Sequence, residues 1–339
     1  MNDPIEVFKE THESETLMKA IVYTEYGAPE VLRLTQVATP VPKDAEVLIK
    51  IHAASLNALD WRMVRGKPVF ARLMIGGLRK PKNTRLGVDV AGEVEAVGSG
   101  VTQFKPGDAV FGTCRGAFAE YVCTTQDRLA GKPANLSFEQ AAAVPIAGLT
   151  ALQGLRDCGR IAQGQKVLID GASGGVGTFA VQIAKAFGAR VTAVCSTQNV
   201  DTARSMGADH VIDYTCEDFT QSGQHYDLIV AANAHRSIFD YRRCLTPDGI
   251  YAMAGGGGMQ MLQGLFLGPL LSLIGRKKFV AVMAKQNKKD LLILQELLAS
   301  GKIVPMIDKH FALSEVAQAV RYIEKGHARG KVVITMEGS

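Results

Sequence analysis

Between Met18 and about Val101 apolar and polar positions alternate in short, partly β-branched runs: Lys19-Ala-Ile-Val-Tyr23, Glu46-Val-Leu-Ile-Lys-Ile51 and Val88 to Val97. Glycine, proline and asparagine separate them. Period-two alternation broken by turn residues predicts a small all-β barrel. Gly107–Gly112 and Ala117–Val122 continue the pattern, and then Ser137-Phe-Glu-Gln140 has the form of a capping box that opens a helix, so a domain boundary falls nearby.

After Gln165 the period changes. Lys166–Asp170, Arg190–Cys195, His210–Asp213, Tyr226–Ala231 and Ile250–Ala254 read as strands, with helical segments between most of them. This alternation predicts an α/β domain with a doubly wound parallel sheet. The chain finishes with Val304-Pro-Met-Ile307, a helix over Ser314–Lys325 and a strand over Lys331–Thr335. Met259–Gly275 is strongly apolar but only 17 residues long, contains glutamines and is broken by Pro269, short of a membrane span. A partly buried helix acting as a lid over the cleft is expected there, ahead of a peripheral membrane contact beside Arg276, Lys277 and Lys278.

Composition narrows the class. A chain of 339 residues suits two domains, and 47% apolar with 21% charged residues describes a packed protein. The net charge of +5 is scattered, which gives no nucleic-acid footprint. The six cysteines, at 114, 123, 158, 195, 216 and 244, never approach C-x-x-C spacing. Reduced thiols and a cytoplasmic location follow as expectations. Residues 1–17 lack the features of a signal or transit peptide and read as a loose extension.

The candidate chemistry centres on Val167-Leu-Ile-Asp-Gly-Ala-Ser-Gly-Gly-Val-Gly177, where a strand, a glycine turn and a helix follow one another. A pyrophosphate must approach the backbone N–H groups of a helix N-terminus, and a Cβ there would hold it off. Ser173, Gly174, Gly175, Val176 and Gly177 are the candidate residues; Ala172 stands where the G-x-G-x-x-G pattern has its first glycine. The second strand ends at Cys195 and is followed by Ser196-Thr197-Gln198-Asn199, where an NAD site would place Asp or Glu. With no carboxylate there, a 2′-phosphate can be accepted, which predicts NADPH. The same residues are also good caps for the next helix.

Taken together these residues resemble the medium-chain dehydrogenase/reductase superfamily and, within it, the zinc-independent quinone oxidoreductase-like reductases. The resemblance covers most of residues 18–335. It rests on Ala54-Ser-Leu-Asn-Ala-Leu-Asp60, Gly87-Val-Asp-Val-Ala-Gly92, Lys105-Pro-Gly-Asp-Ala-Val110, Ala117-Phe-Ala-Glu-Tyr121, the glycine turn, Ile212-Asp-Tyr214 and His327-Ala-Arg-Gly-Lys-Val-Val333, in order. It implies a GroES-like β-barrel catalytic domain from residues 18–140 and 305–339 around a Rossmann domain at 141–304, with NADPH and often a homodimer. Zinc-dependent relatives carry Cys and His in the stretches that here hold Asn57, Asp60 and Val88, so no metal ligand set is expected.

Carried over residue by residue, the resemblance places Ser196, Thr197 and Tyr214 at the adenosine 2′-phosphate, joined by Lys331. It places Thr150 beside the nicotinamide, and Gly255 and Gly256 under it. Asn57 and Asp60 are the candidates to orient a substrate oxygen. Tyr214 can equally pack at a strand end, Thr150 can bond its own helix, and Asn57 and Asp60 can serve the barrel backbone. The implied reaction is hydride transfer from NADPH to a quinone or α,β-unsaturated carbonyl, with donors such as Asn57 meeting charge on the oxygen. A carbonyl or alcohol dehydrogenase and a non-catalytic NADPH-binding or redox-sensing protein remain the alternatives.

Overall fold

The computed structural model describes residues 16–67, 72 and 77–336; most of the amino-terminal extension expected at 1–17 lies outside them. The strands are β1 (Leu17–Val22), β2 (Arg33–Ala38), β3 (Glu46–Leu56), β4 (Asp89–Val97), β5 (Ala109–Thr113), β6 (Tyr121–Thr125), β7 (Leu129–Gly131), β8 (Lys166–Asp170), β9 (Arg190–Cys195), β10 (His210–Asp213), β11 (Tyr226–Ala231), β12 (Leu245–Met253), β13 (Lys278–Ala281), β14 (Ile307–Ala312) and β15 (Lys331–Thr335).

Strands β8 to β13 form one parallel sheet in the order β10-β9-β8-β11-β12-β13. Their near-continuous apolar text has a simple cause. Val167 and Ile169 face one core and Leu168 faces another, so both faces are covered. The chain runs outward from β8 through β9 to β10, then returns to β11 on the other side. That reversal between β8 and β11 opens a crevice beyond the strand carboxyl ends, the usual place for a ligand in such a sheet.

The remaining long sheet runs β14-β15-β3-β4-β5-β7, with β6 also paired to β3. Its closing strands β14 and β15 come from the far end of the chain. β15 lies antiparallel to β3, Val332 opposite Leu56 and Thr335 opposite Ala53. Strand β3 therefore runs on to Leu56, past the Ile51 limit its alternation predicts, because Ala53–Leu56 are paired with β15 and Ala53–Ser55 with β4. One core spans the two sheets: Ala53, Ala91, Phe111 and Val333 pack with Ile169, Val191 and the Pro145–Gln153 helix.

The capping box at Ser137 forms as expected, with Ser137 Oγ accepting from Gln140 N–H at 3.2 Å and Gln140 Oε1 accepting from Ser137 N–H at 3.0 Å. The apolar stretch at 259–275 forms the expected partly buried helix as three short pieces, Gly258–Leu262, Gln263–Leu267 and Gly268–Leu273, packed beside β13 and not among the residues that line the cleft. Phe266, Leu270, Leu273 and Ile274 are left exposed. Among the described residues no helix is long and apolar enough to cross a membrane.

Candidate active site

The crevice is a cleft of about 620 Å³. One wall is the turn after β8 and the helix Gly175–Ala186 that it opens. Gly171, one position before Ala172, takes the positive-φ conformation of the turn at +78°. At Gly177 a Cβ would lie 2.0 Å from Gly171 O, and only glycine lets the helix start this close to the strand. Gly174 is different: a Cβ there would meet only Gly171 O, at 3.6 Å. Protein packing leaves that volume open, and it faces a helix start whose first-turn N–H groups have no intrahelical acceptor. A pyrophosphate fits this cradle.

At the other end of β9, Ser196 and Thr197 line the same cleft with Tyr214. Ser196 Oγ accepts from Asn199 Nδ2 at 2.9 Å, and neither side chain caps a backbone N–H of the helical turns that follow. Two residues that the sequence reading did not single out join them. Arg329, in the segment before β15, places its guanidinium on the side-chain oxygen of Gln198 and supplies a cation at this end. Asp213, at the end of β10, accepts from Thr197 Oγ1 at 2.6 Å and from Thr215 Oγ1 at 2.7 Å. These hydroxyls hold its carboxyl down at about 2. A carboxylate is therefore present here, brought by the neighbouring strand and not by β9.

On the barrel side Asn57 lines the cleft at the end of β3. Behind it lies a buried cluster. Asp89, fully buried, accepts through Oδ2 from Ser55 Oγ (2.8 Å), Asn57 Nδ2 (2.9 Å) and Lys331 Nζ (3.1 Å), and through Oδ1 from Ile146 N–H (2.9 Å). Lys331 Nζ also donates to Asn57 Oδ1 at 2.7 Å and Leu56 O at 2.9 Å. Lys331, expected with Ser196 and Thr197, lines the cleft with its stem passing Gly175 while its ammonium bonds Asp89, Asn57 and Leu56; Arg329 lines the same cleft and bonds Gln198.

Asp60 is fully buried and does not line the cleft. Its carboxyl accepts from Asn57 N–H at 2.7 Å and Gly87 N–H at 3.3 Å, fixing the start of the Ala58–Arg65 helix. Burial outweighs those donors and pushes it up to about 7. Thr150 is likewise turned inward: its hydroxyl donates to Ile146 O at 2.7 Å, one turn from Ala147, the residue of that helix that reaches the cleft. Gly255 and Gly256 pack on the turn after β11. A Cβ on Gly255 would lie 2.4 Å from Ala232 O, and Gly256 O accepts from Arg62 Nη2 at 2.9 Å. Close backbone packing accounts for both glycines. Beneath the turn Asp170, buried and raised by burial, accepts from Tyr241 OH and faces His235 Nδ1 at 3.5 Å. Among the described residues no group of three or more His, Cys, Asp or Glu is placed to hold a metal ion.

Comparison with known proteins bears on this arrangement. A family model described as alcohol dehydrogenase GroES-like domain matches residues 43–134, and one described as zinc-binding dehydrogenase matches residues 206–334. The chain is 37% identical over 332 residues to the 2-methylene-furan-3-one reductase of Solanum lycopersicum, spanning 94% of this chain and 79% of the relative. It is 34% identical over 332 residues to the chloroplastic NADPH-dependent alkenal/one oxidoreductase of Arabidopsis thaliana, with coverages of 94% and 79%. The solved quinone oxidoreductase of Coxiella burnetii matches with a TM-score of 0.81 at 32% identity, covering 94% of this chain and 99% of that one.

Proposed function

We propose, from the premise that this chain belongs to the quinone oxidoreductase-like group of the medium-chain dehydrogenase/reductase superfamily, that it reduces a quinone or an α,β-unsaturated carbonyl with NADPH and without zinc. The observation that carries this reading is a single cleft with a pyrophosphate cradle at Gly174, a cation and hydroxyls at Arg329, Ser196 and Thr197, and one oriented amide at Asn57. Bound NADPH supplies the hydride. Asn57 donates to the substrate oxygen as negative charge grows there, the charge-stabilising task that zinc performs as a Lewis acid in metal-dependent relatives. The proton comes from water reaching the open cleft.

The zinc-free assignment is supported by what stands in the two stretches where zinc relatives carry ligands. Asn57 and Asp89 converge on the Lys331 ammonium and Ser55 Oγ donates to Asp89, so a positive charge already sits among these side chains. The NADPH assignment is supported by Arg329, a cation that lines the cleft together with Ser196 and Thr197. A homodimer is part of the reading as well. Among the described residues β13 pairs only with β12, and beside this open sheet edge lie the exposed Phe266, Leu270, Leu273 and Ile274, a combination that a second copy would cover. A reducing, cytoplasmic setting is supported by six unpaired cysteines.

The test is oxidation of NADPH and of NADH measured across quinones, enones, enoyl thioesters and simple aldehydes, with zinc assayed on the same sample. Turnover of quinones or enones, a preference for NADPH and activity that persists in chelator are the expected results. One zinc per chain with activity lost on its removal would overturn the mechanism. Tight NADPH binding with no turnover would make the protein a binder instead.

A further inference from the structure

The cluster behind Asn57 is more than the cleft needs for packing. An asparagine carboxamide on a protein surface can rotate by half a turn and exchange its donor and acceptor ends. Here it cannot. Its Oδ1 meets the Lys331 ammonium, which only donates, at 2.7 Å; its Nδ2 meets the Asp89 carboxylate, which only accepts, at 2.9 Å. A flipped amide would set N–H against ammonium and oxygen against carboxylate. One N–H of Nδ2 is spent on Asp89, which leaves a single donor, and Asn57 lines the cleft.

The partners are themselves held from several directions. Asp89 is fixed by Ser55 Oγ and by the N–H of Ile146, where the Pro145–Gln153 helix begins. Lys331 is fixed by the carbonyl of Leu56, and both charged side chains are almost completely buried. An ion pair this deep is weak evidence for stability, since apolar residues of similar volume commonly do as well. Its geometry points to orientation as its use.

We propose that Asp89 and Lys331 are positioning residues that act through Asn57, locking its carboxamide so that its one free N–H is presented to the substrate oxygen. The proposal rests on the reading of Asn57 as the donor to that oxygen. It requires that Lys331 and Asp89 influence turnover only while Asn57 is present, and that they leave binding of the cofactor largely alone.

A double-mutant cycle on the full-length protein decides this, with kcat, KM for a quinone or enone, and the Kd for NADPH measured by fluorescence for every variant. Asn57→Ala is expected to lower kcat by about 100-fold, and Lys331→Met by about 30-fold, each with the NADPH Kd within about threefold of the parent. In the Asn57→Ala background Lys331→Met should cost less than about threefold more, because the group it orients is gone. Losses that multiply would overturn the positioning role, as would a Kd for NADPH that rises with the fall in kcat, which would return Lys331 to the cofactor. If Asn57→Ala leaves kcat unchanged, the donor reading itself fails, an outcome distinct from either. Lys331→Met strands a buried carboxylate; should it fail to fold, Asp89→Asn combined with Lys331→Gln removes both charges together and enters the same cycle with the same expectations.

Discussion

At the residue scale the environment, not the residue type, decides the role. Asp60 and Asn57 are three positions apart in one turn, yet one faces the cleft and the other is sealed under the helix start. Burial raises the Asp60 carboxyl from 3.8 to about 7, so between those pH values the folded chain keeps a proton that the unfolded chain releases. Stability from this group is therefore fullest below pH 4 and is lost as pH rises to about 7, by at most about 4 kcal/mol for such a shift. In urea melts at pH 5 and pH 7.5, Asp60→Asn should show a smaller fall than the parent between the two; equal falls would place the carboxyl's titration elsewhere. Arg329 offers a second residue-scale prediction. Removing a cation that meets a phosphate costs about 1.5–3 kcal/mol, so Arg329→Ala should lower the ratio of kcat/KM for NADPH over NADH by roughly 10–100-fold. An unchanged ratio would mean that Ser196 and Thr197 select the cofactor without it.

At the scale of single elements the sequence was most legible where one element fills one local rule. β8, β9, β10 and β11 begin and end where their apolar runs do, and the turn after β8 carries its chemistry in contiguous residues. What stayed hidden was assembled across the chain. Asp213 reaches Thr197 from a neighbouring strand, Arg329 arrives from the segment before β15, and Lys331 meets Asn57 from 274 residues away. No spacing rule links such pairs, and each was readable only as a landmark or a cap. Strand β13 was missed because four residues after an apolar stretch carry too little alternation. The glycine turn itself yields a paired prediction. Gly174 has an extended backbone and open space, so Gly174→Val should fold, with a Tm within a few degrees of the parent, while weakening NADPH binding by about 100-fold or more. Gly177→Val should instead fail to fold, its side chain meeting Gly171 O. Titration calorimetry and thermal melts on both variants check this; tight binding by folded Gly174→Val would move the pyrophosphate elsewhere.

At the scale of the whole molecule, the exposed apolar residues beside β13 and the unpaired sheet edge make one surface. Phe266→Glu with Leu273→Glu puts two like charges on it, which a symmetric contact would bring together as four. The variant is expected to sediment as a monomer where the parent sediments as a dimer, with its melting temperature little changed if the surface is open in the single chain. A monomeric parent would sink the assignment. The return of β15 to β3 has a different consequence, in the order of events during synthesis. The Lys331–Leu56 contact closes over 275 residues, so a ribosome has to make all of them before the second half of β3 gains its second neighbour. Until then Ala53–Leu56 present an unpaired edge, the kind of surface that seeds misassembly in slow, non-local folds. The same late strand delivers Lys331 to Asn57 and Asp89. Loss of this strand would then uncover that edge and remove the Lys331 contacts to Asn57 and Asp89 in one step.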